Sequence, residues 1–270
     1  MRVSPLLLAV CLCACNPAID QSEKPDITNV GNQPALAIDD IAGRWRVASV
    51  DGTSLPVSSD SEQTPYLSIG PQSLGGYVGC NNFGALALYA DARLAIHSWS
   101  STAMYCGDIS DRERALSELL FAHPQVQRNR ERLVIKSQNH EVVLADRQAF
   151  RDEAFAPASQ ALTGTRWRIS FIDQSEKSTS PEERYLTFTD DGWQGLASCA
   201  TLFGAYSVQA GRLLVEDEIA STEQLCPEEY AALDDAFADL MRSNPRYLVG
   251  PNGELIIAGG GHVLTGSAAR

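Results

Sequence analysis

One motif is written twice in this chain, about 120 residues apart. The first copy reads Gly43-Arg44-Trp45-Arg46, then Gly79-Cys80-Asn81-Asn82-Phe83-Gly84, then Ser101-Thr102-Ala103-Met104-Tyr105-Cys106. The second reads Gly164-Thr165-Arg166-Trp167-Arg168, then Ser198-Cys199-Ala200-Thr201-Leu202-Phe203-Gly204, then Ser221-Thr222-Glu223-Gln224-Leu225-Cys226. The paired cysteines stand 26 residues apart in the first copy and 27 in the second. A repeat this long is a duplicated domain, not a solenoid unit. The chain therefore divides into domains at 38–148 and 162–268, joined by a linker over 149–161.

Within each copy the pattern predicts strands, then one helix, then strands. Arg44 to Val50 alternates with period two, placing Trp45, Val47 and Ser49 on one face. Arg166 to Ile172 repeats this with Trp167, Ile169 and Phe171. Tyr66 to Ile69 and Tyr185 to Phe188 are matching second strands. After the second cysteine, Ser110-Asp111-Arg112-Glu113 offers a helix N-cap with a glutamate three places on. Ala115, Leu116, Leu119 and Leu120 form its apolar stripe. In the second copy Pro227 suits the first turn, and Tyr230, Leu233, Phe237, Leu240 and Met241 form the stripe. Both helices end near His123-Pro124 or Asn244-Pro245, and a hairpin closes each copy. The expected fold is α+β: two tandem domains, each a mostly antiparallel sheet or open barrel covered by one helix.

The N-terminus points to export. Met1-Arg2 precedes an apolar run over Leu6 to Leu12, too short to span a bilayer as a mature helix. Leu12-Cys13-Ala14-Cys15 resembles the bacterial lipoprotein lipobox. That resemblance implies a signal peptide over 1–14 and an acylated Cys15 as the mature N-terminus. Two or three acyl chains anchor stably, because each buried methylene contributes roughly 0.8 kcal/mol. Asn16, where an aspartate would signal inner-membrane retention, implies the outer membrane, facing the periplasm. An ordinary secretory signal with incidental cysteines is the alternative. Residues 15–37 read as a flexible tether.

Of the seven cysteines, Cys11 and Cys13 leave with such a signal and Cys15 takes lipid. Cys80, Cys106, Cys199 and Cys226 remain, in a compartment that permits disulfides. Three pairings are possible. The repeat favours Cys80 with Cys106 and Cys199 with Cys226, since each domain then folds as its own unit. Closing such a loop stabilises by roughly 3.5 kcal/mol in the chain-entropy picture. A zinc site would need closely spaced C-x-x-C knuckles, which are missing. No metal or cofactor is expected.

The formal net charge is −13. Residues 38–150 hold 13 acids and 10 bases, while 151–270 hold 18 acids and 9 bases. The second half should repel nucleic acid and anionic membrane surfaces. Its acids cluster at Glu216-Asp217-Glu218, Glu228-Glu229 and Asp234-Asp235. Without a D-x-D-x-D-G spacing, a solvated face near a helix N-terminus is the preferred reading over a calcium site.

The order Gly-x-Trp, Gly-Cys-Asn-Asn-Phe-Gly, Ser-Thr-x-Met-x-Cys, helix and final hairpin resembles the META domain family, which includes HslJ-like heat-shock lipoproteins. The first copy keeps the pattern at Cys80, Asn81, Asn82, Phe83, Gly84, Thr102, Met104 and Cys106. The second departs: Ser198 replaces a glycine, Ala200-Thr201-Leu202 replaces the asparagine pair with one extra residue, and Gln224 replaces the methionine. The resemblance implies an envelope protein of stress and antibiotic tolerance with no enzymatic activity.

Asn81-Asn82 beside a glycine suits a turn with positive φ. It is a candidate ligand loop, or else turn chemistry anchored by the disulfide. Trp45 and Trp167 read as core plugs, and Arg44, Arg46, Arg166 and Arg168 as solvated strand charges, with stacking or a ligand carboxylate as the alternative. Three functions compete. The first is a non-enzymatic envelope lipoprotein acting through binding, its partner a protein or small molecule. The second is a lipocalin-like carrier of a small apolar ligand, which needs a large apolar cavity. The third is a cysteine enzyme, needing a free thiol near a histidine such as His97. The intact loop of the first copy suggests that residues 40–148 carry the activity and 162–268 keep the scaffold.

Overall fold

A computed structural model describes residues 36–59, 63–107, 109–149, 162–173, 184–216, 218–222 and 226–269. The expected signal peptide, Cys15 and nearly all of the tether lie outside these residues, as does the linker beyond Ala149. No helix among the described residues is long and apolar enough to cross a membrane.

The first repeat runs α1 (Ile38–Ile41), β1 (Gly43–Val50), β2 (Thr53–Ser54), β3 (Tyr66–Ile69), β4 (Ser73–Tyr77), β5 (Asn82–Ala90), β6 (Arg93–Ser101), α2 (Ile109–Phe121), β7 (Gln125–Asn129), β8 (Arg132–Lys136) and β9 (Glu141–Gln148). Every pairing is antiparallel. Strand β9 returns to β1, so eight strands close into a barrel and β2 adds at the rim. Closure removes the edges that would otherwise invite further pairing.

The second repeat runs β10 (Arg166–Ile172), β11 (Tyr185–Thr189), β12 (Gly192–Leu196), β13 (Thr201–Gly204), β14 (Tyr206–Gln209), β15 (Arg212–Val215), β16 (Ala220–Ser221), α3 (Glu228–Arg242), β17 (Arg246–Val249), β18 (Glu254–Gly259) and β19 (His262–Ala268). The long β5–β6 hairpin of the first repeat is here broken in two. β14 pairs with β15, whereas β13 pairs with β16. The sheet curls but stays open at that break, a half-barrel of the same topology. The α+β, two-domain expectation holds, with the first sheet fully closed.

Alternation in the first strand of each repeat is interrupted at the same point. Burial follows Gly43, Trp45 and Val47, then jumps to Val50, because a register shift falls between Val47 and Ser49. In β10 the shift falls between Ile169 and Phe171, so Ile172 turns inward and Phe171 outward. A bulge inserts one residue and moves the side chains beyond it to the other face. Ser49 and Phe171, expected inside, therefore are not.

Each tryptophan is a core plug whose polar edge is satisfied locally. Trp45 donates from Nε1 to the Ile41 carbonyl at 2.7 Å, and Trp167 donates to Leu162 at 3.2 Å. An unpaired buried donor would cost about 1–3 kcal/mol. Around Trp45 the barrel interior is filled by Leu67, Ile69, Leu133, Ile135 and Leu144, with Leu116, Leu119 and Leu120 of α2 packed into the same core. Phe237, Leu240 and Met241 of α3 do the same around Trp167.

Helix α2 starts at Ile109, so Ser110 lies within its first turn and is not the N-cap. Glu113 accepts instead from the backbone N–H and the side-chain amide of Asn81 in the cysteine loop. Pro227 stands one place before α3, and its carbonyl accepts the N–H groups of Tyr230 and Ala231. His123 and Asn244 end the helical segments with positive φ, the left-handed geometry common after a helix C-terminus.

The two repeats share a third core. Leu88, Ala90 and Ala95 on the outer face of β5 and β6 meet Leu248, Ile256, Ala258 and Val263 on β17 to β19. Polar ties flank it. Gly260 donates its N–H to Asp91 at 2.8 Å, and Ser98 donates to Glu254 at 3.0 Å.

Candidate functional site

Two disulfides form as the repeat suggested, Cys80 to Cys106 and Cys199 to Cys226. Each ties the end of the β4–β5 or β12–β13 connection to the segment leading into the helix. With all four sulfurs oxidised, no thiolate remains for zinc or for cysteine catalysis at these positions. Asp234 lies within 4.8 Å of Cys199 and Cys226, but those sulfurs are bonded to each other. His97 is likewise engaged elsewhere. Its Nδ1 accepts from the Ser98 N–H at 2.7 Å, and its Nε2 donates to the Gly266 carbonyl at 2.9 Å.

The asparagine loop is built differently from the turn expected. Neither Asn81 nor Asn82 has positive φ; Gly79 does, at +126°. A Cβ on Gly79 would stand 3.2 Å from Ile109, so both conformation and space favour glycine there. Asn81 acts as a latch. Its Oδ1 accepts from Thr102 Oγ1 at 2.9 Å and from the Met104 N–H at 2.7 Å. Its Nδ2 donates to the Met104 carbonyl at 2.9 Å and to Glu113 at 2.8 Å. Its own N–H donates to the other Glu113 oxygen at 2.5 Å. All four hydrogen-bonding positions of the amide are thus used internally. Asn82 continues into β5, exchanging backbone and Thr102 hydroxyl bonds, with its side chain exposed.

This latch sets the path of the loop that follows. Met104 is 58 % and Tyr105 90 % exposed. Asn81 itself lines a cleft of about 190 Å³, together with Val78, Phe83, Trp99, Glu113 and Leu116 among others. Phe83 stacks on Trp99 with ring centroids 4.5 Å apart, and Trp99 leans on Phe121 at 5.7 Å.

The second repeat keeps the latch in altered form. Asp234 of α3 accepts the N–H groups of Ala200 at 2.9 Å and Cys199 at 3.2 Å. Thr201 and Thr222 exchange the same pair of bonds as Asn82 and Thr102. Burial pushes the Asp234 carboxyl above its usual range, despite these donors. The strand registers also move the extra residue. Tyr77 pairs with Asn82 as Leu196 pairs with Thr201, and Gly76 with Phe83 as Gly195 with Leu202. Leu202 therefore corresponds to Phe83, the insertion follows it, and Phe203 turns outward.

Two of the flanking arginines take the stacking alternative rather than the solvated one. Arg44 lies over the Tyr66 ring at 3.7 Å, and Arg166 over Tyr185 at 3.8 Å. Arg46 pairs with Asp146 at 2.6 Å. Within the three acid clusters of the second half, Asp217 and the side chain of Glu229 lie outside what is described.

A second repeated feature escaped sequence reading. Asp51 follows β1 and meets His140 at the start of β9; Asp173 follows β10 and meets His262 at the start of β19. The separation is 89 residues in both, and both aspartates have φ of +48°. In each case the second carboxylate oxygen accepts a backbone N–H of the last strand, Glu141 or Val263, at 2.8 Å. The equal Asp-to-His spacing was the available signal.

Residues 38–149 and 160–270 each match the META domain. No curated protein matches the chain. Among solved structures, an NMR structure of a protein is 18 % identical, covering 41 % of this chain and 95 % of its own at a TM-score of 0.36. An NMR structure of a protein from Burkholderia xenovorans is 21 % identical, covering 48 % and 99 % at 0.35. A DNA polymerase sliding clamp from Pseudomonas aeruginosa is 9 % identical, covering 80 % and 59 % at 0.21. Scores this low bear on neither mechanism nor partner.

Proposed function

The chain belongs to the META domain family, and from that premise we propose that it is a non-enzymatic, lipid-anchored envelope protein acting by binding. Its role is envelope maintenance or tolerance of stress and antibiotics, at the outer membrane facing the periplasm. The observation that carries this reading is the latched loop of the first repeat. One disulfide and five hydrogen bonds made by Asn81 hold an exposed methionine and tyrosine in place. Aromatic and methionine side chains are enriched at protein interfaces. Holding them rigid lowers the entropy lost on association. Asn81 is on this view a positioning residue, while Met104, Tyr105 and the Phe83–Trp99 cleft make the contact. The filled barrel interior supports a contact on the outside of the barrel rather than within it. The net charge of −13 favours a partner other than nucleic acid.

The test uses the full chain expressed with its own leader. Met104→Ser with Tyr105→Ser should lose capture of envelope partners and protection in a cell-based stress assay, with the melting temperature unchanged. Phe203→Ser in the second repeat should lose neither. If the double variant protects cells as well as the parent, the loop does not carry the function. Cys15→Ser should leave the membrane fraction; a variant that still pellets with membranes overturns the lipid anchor.

A further inference from the structure

A separate groove of about 780 Å³ lies at the far end of α2 from the latched loop. Its walls come from the last turns of α2, the start of β7, the β8–β9 turn, and Asp173 of the second repeat. The volume falls within the ~300–1,000 Å³ usual for small-molecule sites. We propose that this groove binds a neutral oligosaccharide, recognised by Arg93, Glu118, Lys136, Asn139 and Asp173, with Phe121 as its stacking face.

The charge on the walls is balanced. Arg93, Lys136 and His140 oppose Glu118 and Asp173, and Asp51 behind His140 offsets the third positive group, so neither an anion nor a cation finds a matching field. Gln125, Gln138 and Asn139 add amides that both donate and accept. Sugar hydroxyls likewise both donate and accept, and they suit such a mixed wall. A phosphate would meet two carboxylates. An apolar ligand would strip water from charged groups without replacing it.

The wall also holds one apolar element of the right kind. Phe121 is 45 % exposed. The C–H groups of a pyranose face carry slight positive charge, and they meet the negative face of an aromatic ring favourably. The polar groups are held in place beforehand. His140 Nε2 lies 3.0 Å from Glu118, and His262 Nδ1 lies 2.6 Å from Asp173. Ser137 Oγ accepts the N–H groups of His140 at 3.1 Å and Asn139 at 3.4 Å, which sets the β8–β9 turn. Arg93 donates to the His123 carbonyl at 3.1 Å. Groups held this way lose little freedom when a ligand arrives.

Isothermal titration calorimetry of the full chain, in micelles of a sugar-free zwitterionic detergent, tests this with chitotetraose and cellotetraose. The expected result is saturable binding of at least one of them. Asn139→Ala and Phe121→Ala should each weaken it about tenfold, equivalent to about 1.4 kcal/mol. Asn139 sits on an exposed turn, so its replacement is a test independent of packing. Tyr105→Ala should leave saccharide binding unchanged, which separates this site from the latched loop. The proposal is overturned if neither saccharide binds saturably at millimolar concentration, or if Asn139→Ala binds as the parent does.

Discussion

His140 and Asp51 meet at 2.8 Å through Nδ1 and Oδ2, and the opposite ring nitrogen of His140 meets Glu118 at 3.0 Å. Ionised carboxylates only accept, so the protonated imidazole, which donates from both ring nitrogens, is the form this pair of contacts favours. The hydrogen bond to Asp51 is the main force raising the His140 pKa. Burial opposes it, and Glu118 adds to it. For Asp51, burial works upward, but the Glu141 N–H and His140 outweigh it and bring its pKa below 3.8. The contact ties the β1–β2 turn, α2 and the β8–β9 turn together.

That linkage fixes a pH window. A raised histidine pKa contributes stability that is complete below about 6.5 and is lost as pH rises through the raised value. A lowered aspartate pKa contributes stability present above about 3.8 and lost as pH falls through the lowered value. The clamp therefore contributes most between those limits. His140→Gln should cost about 0.5–1 kcal/mol at pH 5.5, as befits a partly exposed pair, and close to nothing at pH 9. Urea unfolding of parent and variant at both pH values measures this. Equal losses at both would rule out the charged clamp.

Asn81 gives the second prediction. Asn81→Ala leaves the Met104 N–H and carbonyl without their partner and should cost about 1–3 kcal/mol. Asn81→Asp keeps the acceptor but sets a carboxylate beside Glu113. It should be worse than alanine at pH 7 and recover at pH 4, where protonation removes the repulsion. Denaturant midpoints at the two pH values decide. An aspartate variant insensitive to pH would show that Glu113 is not the partner.

The glycines of β4 and β12 supply a third. A Cβ on Gly195 would approach the Phe237 ring to 2.8 Å and the Tyr185 carbonyl to 3.0 Å; on Gly76 it would reach Phe83 at 2.6 Å and the Tyr66 carbonyl at 2.7 Å. Overpacking of this kind costs typically about 1–3 kcal/mol. Gly195→Ala and Gly76→Ala should both lower the melting temperature. Pairing Gly195→Ala with Phe237→Leu should recover part of the loss, because the ring is the obstacle. Additive losses in the double variant would place the strain at the Tyr185 carbonyl.

Much of the scaffold was legible because it rests on local rules. The tryptophan strands follow period two, α2 and α3 follow an apolar stripe, and the duplicated cysteines pair within each copy. What escaped depends on contacts far apart in sequence. The bulges beside Ser49 and Phe171 answer to β9 and β19, not to neighbouring residues. Glu113 reads as a capping acid until Asn81 is brought to it across 32 residues. The break at Ala205 lies in a strand whose composition resembles its unbroken counterpart. Of the Asn81–Asn82 pair, the turn was legible but its positive φ falls on Gly79, and the bonds Asn81 makes to Met104 and Glu113 were not legible.

Strand β18 carries the last prediction. All six of its residues, Glu254 to Gly259, are buried. Leu255 and Ile257 face the core of the second repeat, while Ile256 and Ala258 face the first repeat. A continuous apolar run of this kind marks a strand covered on both sides. Ile256→Asp would bury a carboxylate among Leu88, Ala95 and Leu248, at a cost of several kcal/mol unless the repeats part. Calorimetry of the parent should show one cooperative transition, because the shared core couples the repeats. The variant should show two, with the disulfides intact and the second repeat melting first. That order follows from its open sheet: β10–β19 repeats the β1–β9 ladder, but the long β5–β6 ladder is replaced by β13–β16 and β14–β15, which leaves two edges unpaired. A parent that already melts in two separate steps would show the shared core to be too weak to couple them.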